Sequence, residues 1–272
     1  MALSVVDLYR DILPKTNCKD CGYPTCMAFA SMVVSEKHPI KNCPYLTQDV
    51  IKACEKELAE QYAAGKWLKR DMKEDALRWA KEKSASMKIE DLPERIGGIL
   101  MEQDGKPALE LSYFNGHIII TPDRITHKDG SAMTRYEQVF IYIHMAQGGS
   151  AEPSGKWRNL VEIPNTVSKV VSMVDHVEKP LIEKFQGKIN ELTQAALKIG
   201  GIDKHDEYPT SDVAMLFTPL PRVPVMLMFW DGEEADGFGA EAKLSFDDTI
   251  TQHLDIESIM FLSERLRELL CE

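Results

Sequence analysis

Apolar positions in the first part of the chain repeat with the period of a helix. Residues 4–13 place apolar side chains on one helical face, and a second helix with the same kind of stripe runs from Thr47 to about Ala64. Between them, a run of small and apolar residues predicts a further helix that opens at Cys26. We therefore expect a small helical module over residues 1–60.

From about residue 95 the period of the pattern changes. Runs that alternate or are wholly apolar predict strands, and Asn115-Gly116 between two of these runs is a strong hairpin signal. The charged helical stretch 61–94 then links the module to a second domain over residues 95–272. Because hairpins and helices follow one another in mixed order, we expect the α+β fold class with a mainly antiparallel sheet.

Four patterns in the second domain can be compared directly with a structure. One helix ends at Gly148-Gly149, and residues 165–199 predict further helix with an interruption near Pro180. The run 225–230 is apolar on both faces, which indicates an interior strand. Ile256 to Leu270 predicts a closing amphipathic helix.

Four cysteines of the first module follow an uneven spacing. Cys18, Cys21 and Cys26 form C-x2-C-x4-C, and Cys43 arrives after sixteen further residues. Four thiolates at one point are the usual ligands of an iron–sulfur cubane or of a structural zinc. A cubane is wide, so its ligands wrap around it, and the longer gap before Cys26, with Gly22 in the loop, suits that shape.

Zinc and a metal-free site are the alternatives to a cubane. Zinc prefers two compact C-x2-C knuckles, and this loop has one. We therefore expect a [4Fe–4S] cluster, while zinc and an unmetallated or disulfide-bonded arrangement stay open as alternatives.

The run L-P-K-T-N-C-K-D-C-G-Y-P-T-C-M-A-F-A, with the later N-C-P, resembles a known module. It is similar to the four-cysteine [4Fe–4S] module at the start of the corrinoid/iron–sulfur protein large subunit, a carrier of methyl groups to acetyl-CoA synthase, and to that of the B subunit of Rnf-type complexes. The resemblance covers about residues 1–60 and implies Cys18, Cys21, Cys26 and Cys43 as ligands. The barrel that docks the corrinoid in that family has no visible counterpart here.

The second domain resembles a domain of uncharacterised function that commonly follows the same module. The resemblance lies in L-P-R-V-P-V, W-D-G-E-E and F-D-D-T-I-T-Q-H-L-D. It implies a shared arrangement of domains and brings no chemistry with it.

Composition narrows the range of partners. The formal net charge of −11 disfavours non-specific nucleic-acid binding, and an acidic protein with an anionic cluster favours a redox partner with a basic docking surface. No apolar run reaches membrane-spanning length, and thiols gathered as ligands suit a reducing cytoplasm. We therefore expect a cytoplasmic protein without a membrane span.

Three residues outside the cysteine module are candidates for cofactor binding. His144 lies near a helix end with polar neighbours, His253 lies among aspartates, and Trp230 ends an apolar strand. Each also has a simpler structural explanation, as a packed histidine, a turn before a helix and a core tryptophan. No nucleotide-binding or hydrolase motif occurs, and no nucleophile–base set can be named, so the sequence leaves catalysis undecided.

Two functions follow from these observations. The first is a redox accessory that passes single electrons to or from a partner in anaerobic one-carbon metabolism, such as a corrinoid methyl-carrier protein. The second is a binding module, in which the α+β domain holds a small cofactor such as a corrinoid or a haem, or docks a partner, and the cluster is structural or sensory.

Overall fold

The computed structural model describes residues 3–64, 72–232 and 239–272. The chain forms two compact units, Met1–Met72 and Lys73–Glu272. Residues 65–71 of the predicted linker lie outside the described residues. The predicted boundaries at residues 60 and 94 stay predictions.

The first unit is built from helices. In chain order they are α1, Val5–Asp7, which continues as a π-helical turn over Leu8–Ile12; α2, Cys26–Glu36; and α3, Gln48–Ala63. Ser4 and Asp7 form a capping box, in which the Asp7 N–H donates to Ser4 Oγ and the Ser4 N–H donates to the Asp7 carboxylate. The apolar faces meet in a small core whose most buried members include Leu8, Phe29, Ala30, Val33 and Ile40.

The second unit combines helices with two antiparallel sheets. Its helices are α4, Met72–Ser84; α5, Leu92–Ile96; α6, Arg135–Gln147; α7, Val167–Met173; α8, Lys179–Phe185; α9, Ile189–Lys198; and α10, Ile256–Cys271. The strands of the first sheet are, in spatial order, β1, Ile99–Gln103; β2, Lys106–Tyr113; β3, Gly116–Ile120; and β4, Ile125–His127. The α+β prediction is confirmed.

The second sheet has five strands in the spatial order β5-β9-β8-β7-β6. They are β5, Trp157–Asn159; β6, Ile202–Asp203; β7, Val213–Leu220; β8, Val223–Trp230; and β9, Glu241–Asp247. β8 is the central strand, and Val225, Leu227 and Phe229 on one face are buried together with Met226 on the other. The predicted interior strand is therefore confirmed.

The hairpin predicted at Asn115-Gly116 exists, but its turn is shifted by one residue. Tyr113 pairs with Gly116, so the two loop residues are Phe114 and Asn115. Phe114 takes a φ of 50°, the left-handed conformation that a two-residue hairpin loop needs at its first position. The ring of Phe114 packs edge-on against Tyr113 with centroids 4.9 Å apart, which gives the loop a reason to keep a large residue there.

The helix over residues 165–199 is not interrupted at Pro180. α7 continues through a π-helical turn, Val174–Glu178, into α8, where Pro180 occupies the first turn. The wider turn before Pro180 accommodates a residue that has no N–H to donate. The break comes instead at Gly187, whose φ of 73° suits glycine.

Candidate metal centre

The loop that carries the cysteines ends where α2 begins. Thr25 is the N-cap of α2, and its Oγ1 accepts from the Ala28 N–H at 3.0 Å. Cys26 is the first residue of the helix, and its N–H donates to Asn17 Oδ1 at 2.8 Å. The cap and the Asn17 contact together fix the position of the third cysteine, and the predicted start of this helix is confirmed.

The backbone of the same loop repeatedly takes a conformation that L-residues avoid. Lys15, Asn17 and Lys19 have φ values of 59°, 51° and 69°, and Gly22 has 85°. Such values cost a non-glycine residue about 1–2 kcal/mol each, so the surrounding structure must impose them. A Cβ placed on Gly22 would meet no atom within 4 Å, so this position favours glycine through its backbone conformation alone.

The fourth cysteine returns to the loop through a short turn after α2. The helix ends at Lys37 in the left-handed conformation, and Ile40–Asn42 forms a 3-10 turn after Pro39. This turn delivers Cys43, whose side chain joins the core of the first unit.

The four cysteines of the segment differ in exposure. Cys18 is exposed, Cys21 is half-buried, and Cys26 and Cys43 are buried. Burial raises the pKa of the Cys43 thiol, the backbone of Tyr45 lowers it by a hydrogen bond, and the charges of the other three thiolates raise it again.

Tyr45 and Asp20 hold the two ends of the cysteine segment together. The Tyr45 hydroxyl donates to Asp20 Oδ2 at 2.5 Å, which ties the residue before Cys21 to the segment after Cys43. The hydrogen bond from Tyr45 to the Asp20 carboxylate raises the pKa of Tyr45 to about 12. Sequence reasoning missed Asn17, Asp20 and Tyr45, although each lies within two residues of a cysteine.

The candidate donor set of the first unit consists of cysteine thiols. All six cysteines are free thiols. Across the described residues, no three Cys, His, Asp or Glu side chains are grouped so that they could hold a single metal ion. A tetrahedral zinc with bonds of about 2.3 Å would draw its thiolates to within about 3.8 Å of one another. The loop offers an all-cysteine donor set, which also suits an iron–sulfur cluster.

The two predicted histidines lie side by side in the interior of the second unit. The ring centroids of His144 and His253 are 5.6 Å apart, and both side chains are fully buried. His144 Nδ1 lies 3.3 Å from the His253 carbonyl oxygen, and His253 Nε2 lies 3.0 Å from the Ala151 carbonyl oxygen. The other ring nitrogens, His144 Nε2 and His253 Nδ1, are buried without a hydrogen-bond partner.

The surroundings of the histidine pair do not resemble a cofactor pocket. Burial lowers the pKa of His144 to about 3 and also lowers the pKa of His253, so both imidazoles are neutral at pH 7. Neither lines any of four cavities found among the described residues, and Trp230 lines none of these either. Trp230 Nε1 donates to the Thr210 carbonyl oxygen at 2.7 Å, as in a packed tryptophan. The prediction that these three bind a corrinoid or haem therefore gains no support.

Two family models match the chain. A family described as "Putative Fe-S cluster" matches residues 13–45, and a family described as a domain of unknown function, DUF3786, matches residues 88–268. No solved structure matches the chain. Among the described residues, no helix has the length and apolarity needed to cross a membrane.

Several curated relatives match about a fifth of the chain, in its N-terminal part. Over 58 residues the chain is 43% identical to the acetyl-CoA decarbonylase/synthase complex subunit gamma of Methanocaldococcus jannaschii. The matched stretch makes up 21% of this chain and 12% of that protein. Over 47 residues it is 45% identical to the corrinoid/iron-sulfur protein large subunit of Moorella thermoacetica, and this stretch makes up 17% of this chain and 10% of that protein. Over 57 residues it is 48% identical to subunit gamma 1 from Methanosarcina thermophila, with shares of 21% and 12%. The chain thus spans about a tenth of these relatives.

Proposed function

The chain belongs to the DUF3786 family, and because an iron–sulfur module precedes that domain, we propose that it is a [4Fe–4S] redox accessory of the acetyl-CoA pathway. In this proposal Cys18, Cys21, Cys26 and Cys43 are the four ligands. The bound cluster would supply one-electron transfer to or from a partner protein. The relatives that share the module are subunits of acetyl-CoA decarbonylase/synthase and of a corrinoid/iron–sulfur protein, so a corrinoid methyl-carrier protein is the partner class we favour.

The observation that carries this proposal is the graded exposure of the four thiols. Cys26 and Cys43 belong to the apolar core of the first unit, whereas Cys18 is open to solvent. A cluster held in this way has a protected side and an accessible side, and the accessible side is where a partner can approach. A purely structural centre has no need of an open side.

Charged residues of the loop would tune the reduction potential in opposite directions. Lys15, Lys19 and Lys41 lie near the cysteines in the sequence and favour the more reduced, more negative cluster, which raises the potential. The overall charge of −11 acts against them. The proposed partner carries a basic docking surface, because the acidic excess of the whole chain attracts it at long range.

Anaerobic purification with iron and sulfide analysis tests the ligand set. We expect a brown protein with about four irons per chain. The Cys43→Ser variant should lose iron, because it removes a buried ligand. Cys54→Ser is the matched control, since Cys54 is equally buried in the same core but lies on α3 with Ile51 and Leu58. Zinc in place of iron, or full iron retention in C43S, would contradict the proposal.

Reductive titration followed by EPR tests the redox role separately. We expect a signal that appears on reduction with dithionite or a stronger reductant and disappears on re-oxidation. A cluster that contains iron and sulfide but stays silent at every accessible potential would rule out electron transfer while leaving the ligand assignment intact.

A further inference from the structure

A face of valines on α7 remains exposed in the second unit. Val167, Val170, Val171 and Val174 follow the i, i+3, i+4, i+7 spacing that places side chains on one side of a helix. The exposed fraction is 79% for Val167 and 66% for Val171, and it is 63% for Val161, which shares a cavity wall with Val170 and Val174. We call these five residues the valine face.

The composition of the valine face is unfavourable for an isolated helix surface. Valine has a lower helix propensity than the long polar residues that usually occupy exposed helical positions. Contiguous exposed apolar side chains also lose the free energy that burial would provide, about 1.5 kcal/mol or more for each valine. Contiguous apolar patches of this kind mark interaction sites.

A cavity of about 330 Å³ opens beside the valine face. Leu160, Met173 and Leu244 form its buried apolar wall. This volume accommodates one large apolar side chain, while Val167 and Val171 extend the apolar surface beyond the cavity. The combined shape suits a protein segment that inserts one side chain and lays its neighbours on the helix.

The side chains that line the cavity carry more negative than positive charge. Glu178 is the last residue of the π-helical turn and is buried, and its Oε2 accepts from Lys243 Nζ at 3.1 Å. The same ammonium lies 3.5 Å from Glu241 Oε1. Two carboxylates therefore share one cation, so the cavity carries an excess of negative charge that attracts an additional cation. The Glu241 side chain is 58% exposed, so solvent screens its share of that attraction.

We propose that the valine face and this cavity dock a segment of a partner protein that presents an apolar side chain next to a lysine or arginine. The apolar side chain fills the cavity, and the cation pairs with Glu178 and Glu241. A second copy of this chain is a poor occupant, because a two-fold contact would place the same acidic cavity opposite itself. The proposal goes beyond the redox role and does not depend on it.

Fluorescence anisotropy with two labelled model peptides tests the docking chemistry on the full-length protein. One peptide is a short amphipathic helix of leucine and lysine, and the other has glutamate in place of lysine. We expect the leucine–lysine peptide to bind at least about tenfold more tightly. Equal affinities would overturn the proposal.

Three variants locate the binding. The double variant V167S/V171S keeps the charge of the protein and should weaken the leucine–lysine peptide about tenfold. Leu197→Ser on α9 is the control, because Leu197 is also apolar and 46% exposed but lies elsewhere. E178Q should weaken binding and reduce its dependence on salt. An equal loss in L197S, or unchanged affinity in V167S/V171S, would show general attraction to an acidic protein and overturn the proposal.

Two further outcomes would assign the valine face to another occupant. Sedimentation of the wild-type protein as a dimer that V167S/V171S returns to a monomer would identify a second copy. Binding of hexylamine that is lost in E178Q, without any binding of the leucine–lysine peptide, would identify a small-molecule site. Either result would overturn the proposal.

Discussion

The side chains of His144 and His253 meet although they are separated by 109 positions in the chain. Each ring directs one nitrogen at a backbone carbonyl oxygen and keeps the other buried without a partner. Arg95 and Arg222 add positive potential around His144, which further disfavours its protonation. The pair is therefore an internal element whose two imidazoles are neutral at pH 7.

Acidification should destabilise the second unit through His144. Its pKa in the folded protein, about 3, lies below the ordinary 6.5, so the unfolded chain takes up the proton first as the pH falls. Its stabilising contribution is complete above pH 6.5 and declines towards pH 3, by up to about 1.4 kcal/mol per pH unit. Native-state hydrogen exchange of α6 and α10 at several pH values between 7 and 5 measures this decline.

The variant H144Q should flatten the pH dependence, because glutamine does not titrate. His117→Gln is the control for the replacement of a histidine outside the buried pair, since His117 is half exposed. Equal slopes for wild type and H144Q would assign the pH dependence to other groups.

At the residue scale, a local site is the easiest to predict from sequence, and the assignment of the four cysteines as ligands stays a prediction. The cysteines lie within 26 residues of one another, from Cys18 to Cys43, so their spacing carries the geometry of the loop. The histidine pair depends on how α6 meets the segment before α10, and no local pattern encodes that contact. The same is true of Glu137, which accepts from both Tyr113 and Arg265 across three elements.

At the scale of elements, sequence reasoning missed the turn between the first two strands of the four-stranded sheet. β1 and β2 are joined by Asp104 and Gly105, with φ values of 54° and 74°, as a type I′ turn requires. Sequence reasoning placed no strand before this Asp-Gly pair, because the apolar residues of β1 do not alternate with polar ones. In the structure every residue of β1 up to Glu102 is exposed, so no buried face imposes such a pattern.

Gly105→Ala should destabilise this hairpin by about 1 kcal/mol, because alanine pays a steric penalty at a positive φ. No neighbouring atom lies within 4 Å of the added methyl group, so the effect isolates backbone conformation. Gly149→Ala is the matched control, since Gly149 has equally open space and an ordinary φ. Urea unfolding followed by circular dichroism measures both, and similar losses in the two variants would contradict this explanation.

Two helices of the second unit begin at side-chain caps. Thr134 and Glu137 form a capping box at the start of α6, and Asp255 caps α10. Pro180 misled the prediction because its effect depends on the preceding turn, which widens to a π-helix and lets the helix continue. A π-helical turn has no local sequence signature comparable to a cap.

At the scale of the whole molecule, the described residues form one hydrophobic core in each unit. The core of the first unit includes the ligand candidates Cys26 and Cys43, whereas the core of the second unit is much larger and surrounds Phe140, Phe229 and Phe246. A small core that includes metal ligands depends on the metal for a large share of its stability.

Removal of iron by oxidation and chelation should therefore affect the two units differently. We expect α2 and α3 to lose protection from hydrogen exchange, while α6 and α10 keep theirs. Mass spectrometry of peptic fragments before and after removal measures both in one sample. Uniform loss of protection across the chain would show that the units unfold together.

The pairing of β5 with β9 has a consequence for synthesis on the ribosome. Trp157 pairs with Asp247, ninety positions later, whereas β7, β8 and β9 follow one another as hairpins. The emerging chain can close these hairpins as soon as each second strand leaves the exit tunnel, but Trp157–Asn159 must wait for nearly a third of the polypeptide. The β5 edge is thus the last edge of the five-stranded sheet to pair. A pause in translation before residue 241 would leave β5 without its partner strand and free to pair with a strand of another chain.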